Sequence, residues 1–500
     1  MRELQMVFIT NPEIKRWMQI LNVIEREQRF TVVELAERLA ISQRTLIKDI
    51  QSIKKHLGES ATLFSDYRGY HFEERVRVEY LEKKEQLLEQ EILFEIVGNI
   101  FYGEMMTIAE LAHQYNYAES TLRRFLSKIQ SLLRSYGLTL IFNPVSFQGE
   151  EANIRKFFFD FYYSGEQTPF TIRPPEGLHH AILKELSGKL GKYELGTGTT
   201  ISAFYYHLYI MIVRVQQNQL VSLPSWLKKR NYQENDFQLL YSLQGVIKKE
   251  YGIYLTKEEF SWLHFRIITK RTIDRMDQEH FFTQRFNRWS SVIEPVVTDY
   301  LADPFFDRWD TNVLRTFMTS FFVSRLINES ISPVLNKELV EVITTIKKNS
   351  AHRYLEHFRF FQKHAQLLNF SSDYFEDIVI SFMVYMDLVF HQYQPVKHVL
   401  FLLEGDYLIV QAIRQQAQQQ LGERHKLLFM PLQELTQERL DTEQVDLIVT
   451  NYRPYVFEYK LKADYVLMNI IPDVNDWARV KHRLNPLIDH LVFYPSEDVK

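Results

Sequence analysis

The chain has 500 residues, no cysteine, a formal net charge of −4, 46% hydrophobic residues and 24% charged residues. That composition belongs to a globular chain of roughly three to five domains. It excludes disulfides, thiolate metal sites and cysteine nucleophiles. It also argues against a wholly basic nucleic-acid coat, while leaving room for a local basic patch.

The opening MRELQMVFITNPEIKRW has only a short apolar run and no cleavage signature, so no secretory signal is expected. The longest mostly apolar, charge-free run, ISAFYYHLYIMIV over 201–213, is short for a membrane span and reads as a buried helix. A cytoplasmic location with no membrane partner is the expectation.

The first distinctive element is TVVELAERLAISQRTL, Thr31 to Leu46, which returns as TIAELAHQYNYAESTL, Thr107 to Leu122. Aligning 31–57 with 107–133 gives eight identities in 27 positions. Both copies open with Thr-x-x-Glu, a capping box that satisfies free N–H groups at a helix start. A short helix follows, then a break, then a second helix with apolar residues spaced 4, 3, 4. These are Leu46, Ile50, Ile53 and Leu57, matched by Leu122, Leu126, Ile129 and Leu133. That spacing forms one buried stripe, and Ala36 and Ala112 are small where two helices would cross. The pattern predicts two helix-turn-helix modules.

Off the stripe lie Ser42, Gln43, Arg44, Lys48 and Gln51 in the first copy, and Ser120, Arg123, Arg124, Ser127 and Lys128 in the second. Arg and Lys neutralise phosphates, and Arg reads guanine edges, so these residues are the candidate contacts to double-stranded DNA. After each second helix comes a glycine-containing β-like tail, ATLFSDYRGYHFEE and GLTLIFNPVSFQGEE. These read as wings, with Arg68 available for a phosphate. Helix-turn-helix pairs also occur as plain packing motifs; the doubling of cap, stripe, basic face and wing favours DNA. The segment RVRVEYLEKKEQLLEQEILFEIVGNIFYGE is read as a helical link between the modules.

From about 167 to 395 the chain reads helical and aromatic. AFYYHLYIMIVRVQQN puts His207 and Arg214 seven residues apart on one helical face, and LTKEEFSWLHFRIITKR puts His264 five residues after Glu259. The two pieces resemble the paired phospho-acceptor histidines of PTS regulation domains, the helical modules phosphorylated by sugar phosphotransferase systems. The competing interpretation for each is a hydrogen-bonded core histidine. VLRTFMTSFFVSRLIN and DYFEDIVISFMVYMDL echo these pieces, with Met318 and Ser381 at the histidine positions, so a second such domain has lost both acceptors. His352, His357 and His364 lie between them, in what looks like a solvated helix or connector. Over the last hundred residues HVLFLLEG, HKLLFMP, VDLIVTN and DYVLMNI alternate with polar helices, the grammar of a parallel sheet. This tail resembles the EIIB component of a sugar transporter. Glu404 and Asp406 stand where that component has its phosphocysteine loop, so phosphotransfer there is not expected.

Taken in order, the chain resembles the Mga/AtxA family of virulence regulators from Gram-positive bacteria. The resemblance implies a mainly α, multidomain fold: two winged helix-turn-helix domains, two all-helical PTS regulation domains and a C-terminal α/β EIIB-like domain with a parallel sheet. The expected divisions are 1–74, 75–166, 167–284, 285–395 and 396–500. It implies a DNA-binding transcription regulator, an activator by family habit, that forms a homodimer or higher multimer. Phosphorylation at His207 or His264 through the phosphocarrier HPr or EII components would control it. No Walker, dinucleotide or H-E-x-x-H motif is present, so no enzyme, metal or cofactor is expected. The rivals are a PTS-regulated RNA-binding antiterminator and, further off, a PTS phosphotransfer enzyme.

Overall fold

A computed structural model describes residues 1–67, 69–187, 198–430, 435–442 and 444–485. They form two compact units. The first comprises Met1–Thr272, Val323–Thr345 and Asn369–Ile378; the second comprises Ile273–Phe322, Ile346–Leu368 and Val379 onward. The stretch 285–395, expected as one helical domain, therefore contributes to both. The link between the repeats is not one helix. It breaks between Arg77–Gln86 and Ile92–Tyr102, and the second piece is the first helix of the second module, with Phe94, Val97 and Phe101 buried.

In the first unit, each repeat folds as three helices and a wing. The first module uses Pro12–Glu27, Val32–Arg38 and Gln43–Leu57, closed by a three-stranded antiparallel sheet in the order β1 (Arg29–Phe30), β3 (Gly69–Glu74), β2 (Ala61–Asp66). The second uses Ile92–Tyr102, Ile108–Gln114 and Glu119–Arg134, with a hairpin of β4 (Thr139–Phe142) and β5 (Val145–Gln148). Both capping boxes form: Thr31 and Thr107 accept from the backbone of Glu34 and Glu110, whose side chains reach back. The turns are built alike. Ala40 and Asn116, at equivalent positions, are left-handed, and the next residues, Ile41 and Tyr117, donate to the carbonyls of Ala36 (3.0 Å) and Ala112 (2.9 Å).

Glu91 fixes the two modules to each other, its carboxylate accepting from Thr10 N at 2.6 Å and from Asn11 N at 3.1 Å. An aromatic cluster of Phe8, Phe94, Phe157 and Phe161 fills the space behind it. Beyond the second wing, the Glu151–Tyr162 helix packs against Ile201–Gln216, which in turn packs against Lys257–Ile268.

The second unit combines helices such as Ser290–Tyr300 and Ala351–Lys363 with a parallel sheet. Its strands are β6 (His398–Leu402), β7 (Lys426–Phe429), β8 (Leu447–Thr450) and β9 (Asp464–Leu467), in the order β7-β6-β8-β9. Alternation along β6 sends Val399 and Phe401 into one core with Ala417 and Trp477, and Leu400 and Leu402 into another with Tyr455. Both faces are thus covered, as a parallel sheet requires. After β6, Glu404 accepts from the Tyr455 hydroxyl and Asp406 caps the Tyr407–Leu421 helix through Leu408 N at 2.9 Å.

Candidate nucleic-acid interface

Leu46, Ile50, Ile53 and Leu57 are at most 3% exposed, as are Leu122, Leu126, Ile129 and Leu133. With that stripe inside, the opposite face of each second helix points to solvent. Ser42, Gln43, Arg44, Lys48 and Gln51 are exposed in the first copy, and Ser120, Arg123, Arg124, Ser127 and Lys128 in the second. Some already have local partners. Ser42 caps its helix by accepting from Thr45 N at 3.1 Å, and Ser127 donates to the Arg123 carbonyl at 2.7 Å. The Arg123 guanidinium sits 4.6 Å over the ring of Phe142 on the wing. Arg124 and Lys128 lie 5.7 and 5.5 Å from the Phe125 ring. Such contacts orient long cations without neutralising them.

The first helix has a single acidic residue, Asp49, and the fold removes it from the outward face. Asp49 is 1% exposed and accepts from Arg16 at 2.9 and 3.2 Å and from the Trp17 indole at 3.2 Å. Arg44, Lys48, Lys54 and Lys55 therefore share a surface with no carboxylate from their own helix. Sequence periodicity had missed Ile47, which is 38% exposed beside Lys48. It holds the register of Arg123, and an apolar side chain there can meet a thymine methyl. The missed signal was an apolar residue off the stripe.

The β2–β3 turn needs Gly69. Its φ is +120°, and a Cβ there would stand 2.6 Å from the Phe30 carbonyl oxygen. Tyr67 at this tip is 86% exposed. Arg68 lies outside the described residues. The second wing turns through a cis Asn143–Pro144 bond.

The two histidines are buried. His207 is 3% exposed, stacks parallel on Phe159 at 3.9 Å, and has Nδ1 without a hydrogen-bond partner. Burial holds its pKa well below the usual range, and Arg266, Lys270 and Lys156 push the same way, so the ring is neutral. Arg214, expected to serve His207, instead pairs with Glu151 at 2.8 Å. His264 is fully buried. Its Nδ1 lies 2.6 Å from Asn231 Oδ1, and its Nε2 lies within ion-pair distance, 2.8 Å, of Asp236 though without hydrogen-bond geometry. Glu259, on the same helix, is held by Arg155 at 2.5 Å and Val221 N at 2.8 Å. Phosphorylation of either histidine requires this shell to open. Among the described residues no helix is long and apolar enough to cross a membrane.

Residues 77–162 match the family described as the Mga helix-turn-helix domain, and residues 16–71 match a helix-turn-helix domain family. The chain is 24% identical over 308 residues to the capsule synthesis positive regulator AcpB of Bacillus anthracis, covering 58% of this chain and 61% of that one. It is 24% identical over 252 residues to the capsule synthesis positive regulator AcpA of the same organism, covering 49% of this chain and 52% of that one. The match thus spans less than two thirds of either relative. The two family matches lie within the first 162 residues, on the two helix-turn-helix modules.

Proposed function

We propose that this Mga/AtxA-type chain is a DNA-binding transcription regulator that reads duplex DNA with two winged helix-turn-helix modules. One observation carries the proposal: two second helices, in the same register, bury an apolar stripe and turn basic residues outward. Arg44, Lys48, Arg123, Arg124 and Lys128 are the contacts we assign, with Ser42, Gln43, Gln51, Ser120 and Ser127 as polar neighbours. Arg and Lys on such a face supply phosphate contacts, and those at the N-terminal end of the helix can reach base edges. The names of AcpA and AcpB favour an activator.

Control by the phosphotransferase system, through HPr or EII components acting at His207 or His264, belongs to the same proposal. So do self-association through the C-terminal half and a cytoplasmic location. A phosphoryl group would bring about two negative charges to an aromatic bundle, and the buried Arg155–Glu259 pair joins the His264 helix to the helix that follows the second wing. Footprinting of the full chain on its own upstream region tests the DNA assignment. A protected stretch of duplex is expected; preference for hairpin RNA over duplex DNA would replace it with the antiterminator alternative.

A further inference from the structure

The surroundings of His207 hold more positive charge than they neutralise. Five cations meet there: Lys156 from the Glu151–Tyr162 helix, Arg266 and Lys270 from the end of Lys257–Ile268 and just beyond it, and Arg325 and Lys337 from the 323–345 segment. Three carboxylates answer them. Asp160 takes Lys156 at 2.6 Å. Glu338 takes Arg325 at 3.5 Å. Asp377 acts on Lys337. Arg266 and Lys270 have no ion pair of their own among the described residues; Asp160 and Glu338 act on Arg266, and Glu338 on Lys270, only at longer range, and five cations still exceed three carboxylates.

Arg266 is 2% exposed, and its one side-chain hydrogen bond runs from Nη1 to the neutral amide oxygen of Asn328 at 3.1 Å. Lys270 has no side-chain hydrogen bond or ion pair among the described residues. Its ammonium is pushed down to about 8, by desolvation first and by Arg266 next; much of the residue reaches solvent, which tempers the first cause. Beside them the Nδ1 of His207 is buried and unpartnered. Buried charges are ordinarily paired, because an unpaired one costs several kcal/mol of lost hydration. Trp262, one helical turn before Arg266, lies edge-on to the His207 ring at 5.8 Å. A guanidinium with no carboxylate in contact, an ammonium with no ion pair and an orphan ring nitrogen thus share one neighbourhood rich in positive charge.

We propose that Arg266 and Lys270, with His207 Nδ1, form a binding site for a phosphate-class oxyanion. Guanidinium and ammonium donors are the groups that hold such anions with short, charge-assisted hydrogen bonds. Lys270 gives the site its access to solvent. The oxyanion has two sources: free phosphate or a phosphate monoester, or a phosphoryl group carried on His207 itself. Only the second source rests on the phosphorylation proposed above.

The test uses the full chain and inorganic phosphate, with chloride at matched ionic strength as the reference, followed by calorimetry. Because Lys270 is exposed, Lys270→Gln is the variant expected to fold; Arg266→Gln is the companion. Saturable phosphate binding that weakens on the order of tenfold in Lys270→Gln, and weakens in His207→Gln without being lost, supports a free-anion site. In a second arm the chain is phosphorylated with phosphoenolpyruvate, enzyme I and HPr, and the lifetime of phosphate on His207 is followed. A shorter lifetime in Lys270→Gln supports the covalent source. Phosphate on neither histidine, with free binding intact, removes the phosphorylation reading and leaves the site standing. Equal phosphate affinity in wild type and Lys270→Gln, with no effect on phosphohistidine lifetime, overturns the site.

Discussion

Arg16 and Asp49 face each other across the first module, Nε to Oδ2 at 2.9 Å, with Asp49 1% and Arg16 30% exposed at the side chain. The pair ties the first helix to the second helix of the repeat and hides the only carboxylate of that second helix. Removing Arg16 leaves the buried Asp49 carboxylate without its cation, with the Trp17 indole still donating to it at 3.2 Å. Arg16→Met is therefore expected to lower stability by about 1–3 kcal/mol, less than for a fully buried pair because water reaches Arg16. Denaturant unfolding of the full chain measures this. An unchanged midpoint would show that water replaces Arg16 freely.

The two stripes predict equal mechanical roles for the two copies. Leu46 and Leu122 occupy equivalent positions and are both fully buried. Truncating either to Ala leaves a cavity behind the outward face, at a cost of about 2–5 kcal/mol. Leu46→Ala and Leu122→Ala are expected to lower thermal stability by similar amounts. A loss in one copy alone would mean that the second is held chiefly by neighbouring elements.

Much of this was legible locally. A capping box, a 4, 3, 4 apolar spacing and a glycine-bearing tail are instructions within a few residues of each other, and each appears in the fold where it was written. The alternating apolar pattern of the tail likewise produced a parallel sheet with two covered faces. What escaped were pairings between distant segments. Helical spacing put Arg214 on the face of His207, yet Glu151, 63 residues away, claims it. The charges that act on His207 come instead from Arg266 and Lys270, which follow His264 in the sequence. Spacing within a helix says which residues share a face; it does not say what the face meets.

Burial of neutral His207 has a pH consequence. Its folded pKa lies well below the ordinary 6.5, so below that pH the unfolded chain takes up a proton that the folded chain refuses. Stability is then complete above about pH 7 and declines on acidification, by at most about 1.4 kcal/mol per pH unit for each such group. His357, also lowered chiefly by burial, adds to the decline. His207→Phe keeps the stacking on Phe159 and removes the titration, so its stability should fall less steeply between pH 6.5 and 5.5. A slope identical to wild type would assign the acid sensitivity elsewhere.

Self-association should reside in the C-terminal half. The sheet domain has cores of its own but leaves apolar residues open near the carboxyl ends of its strands: Leu408 at 61%, Phe457 at 75%, Ile471 at 72% and Val474 at 72% exposure. All four follow the carboxyl ends of parallel strands, which makes that end of the sheet the candidate interaction surface. Light scattering is expected to show a multimer for the full chain and a smaller mass after truncation near Pro395. Ile471→Asp, which leaves the core untouched, should shift the mass the same way. A mass per particle unaffected by both changes would put the interface outside this tail.

The DNA assignment makes a prediction in which the two modules and two kinds of contact can be separated. Lys48 and Arg124 occupy the same register and are both exposed, with no carboxylate paired to either among the described residues. If they contact phosphates, each releases a counterion on binding. Affinity should then fall steeply with salt, and each Ala substitution should reduce the logarithmic salt slope by about 1. If one of them also reads a base edge, its loss costs about 1–3 kcal/mol and relaxes sequence preference at one position. Ile47, beside Lys48, should affect sequence preference without touching the salt slope, because it carries no charge. Binding of the full chain to its upstream duplex, measured from low to moderate salt for Lys48→Ala, Arg124→Ala and Ile47→Ala, distinguishes these effects. If Lys48→Ala alone changes affinity and slope, the first module binds DNA and the second copy is a packing element. If neither cation matters, the basic faces are merely solvated.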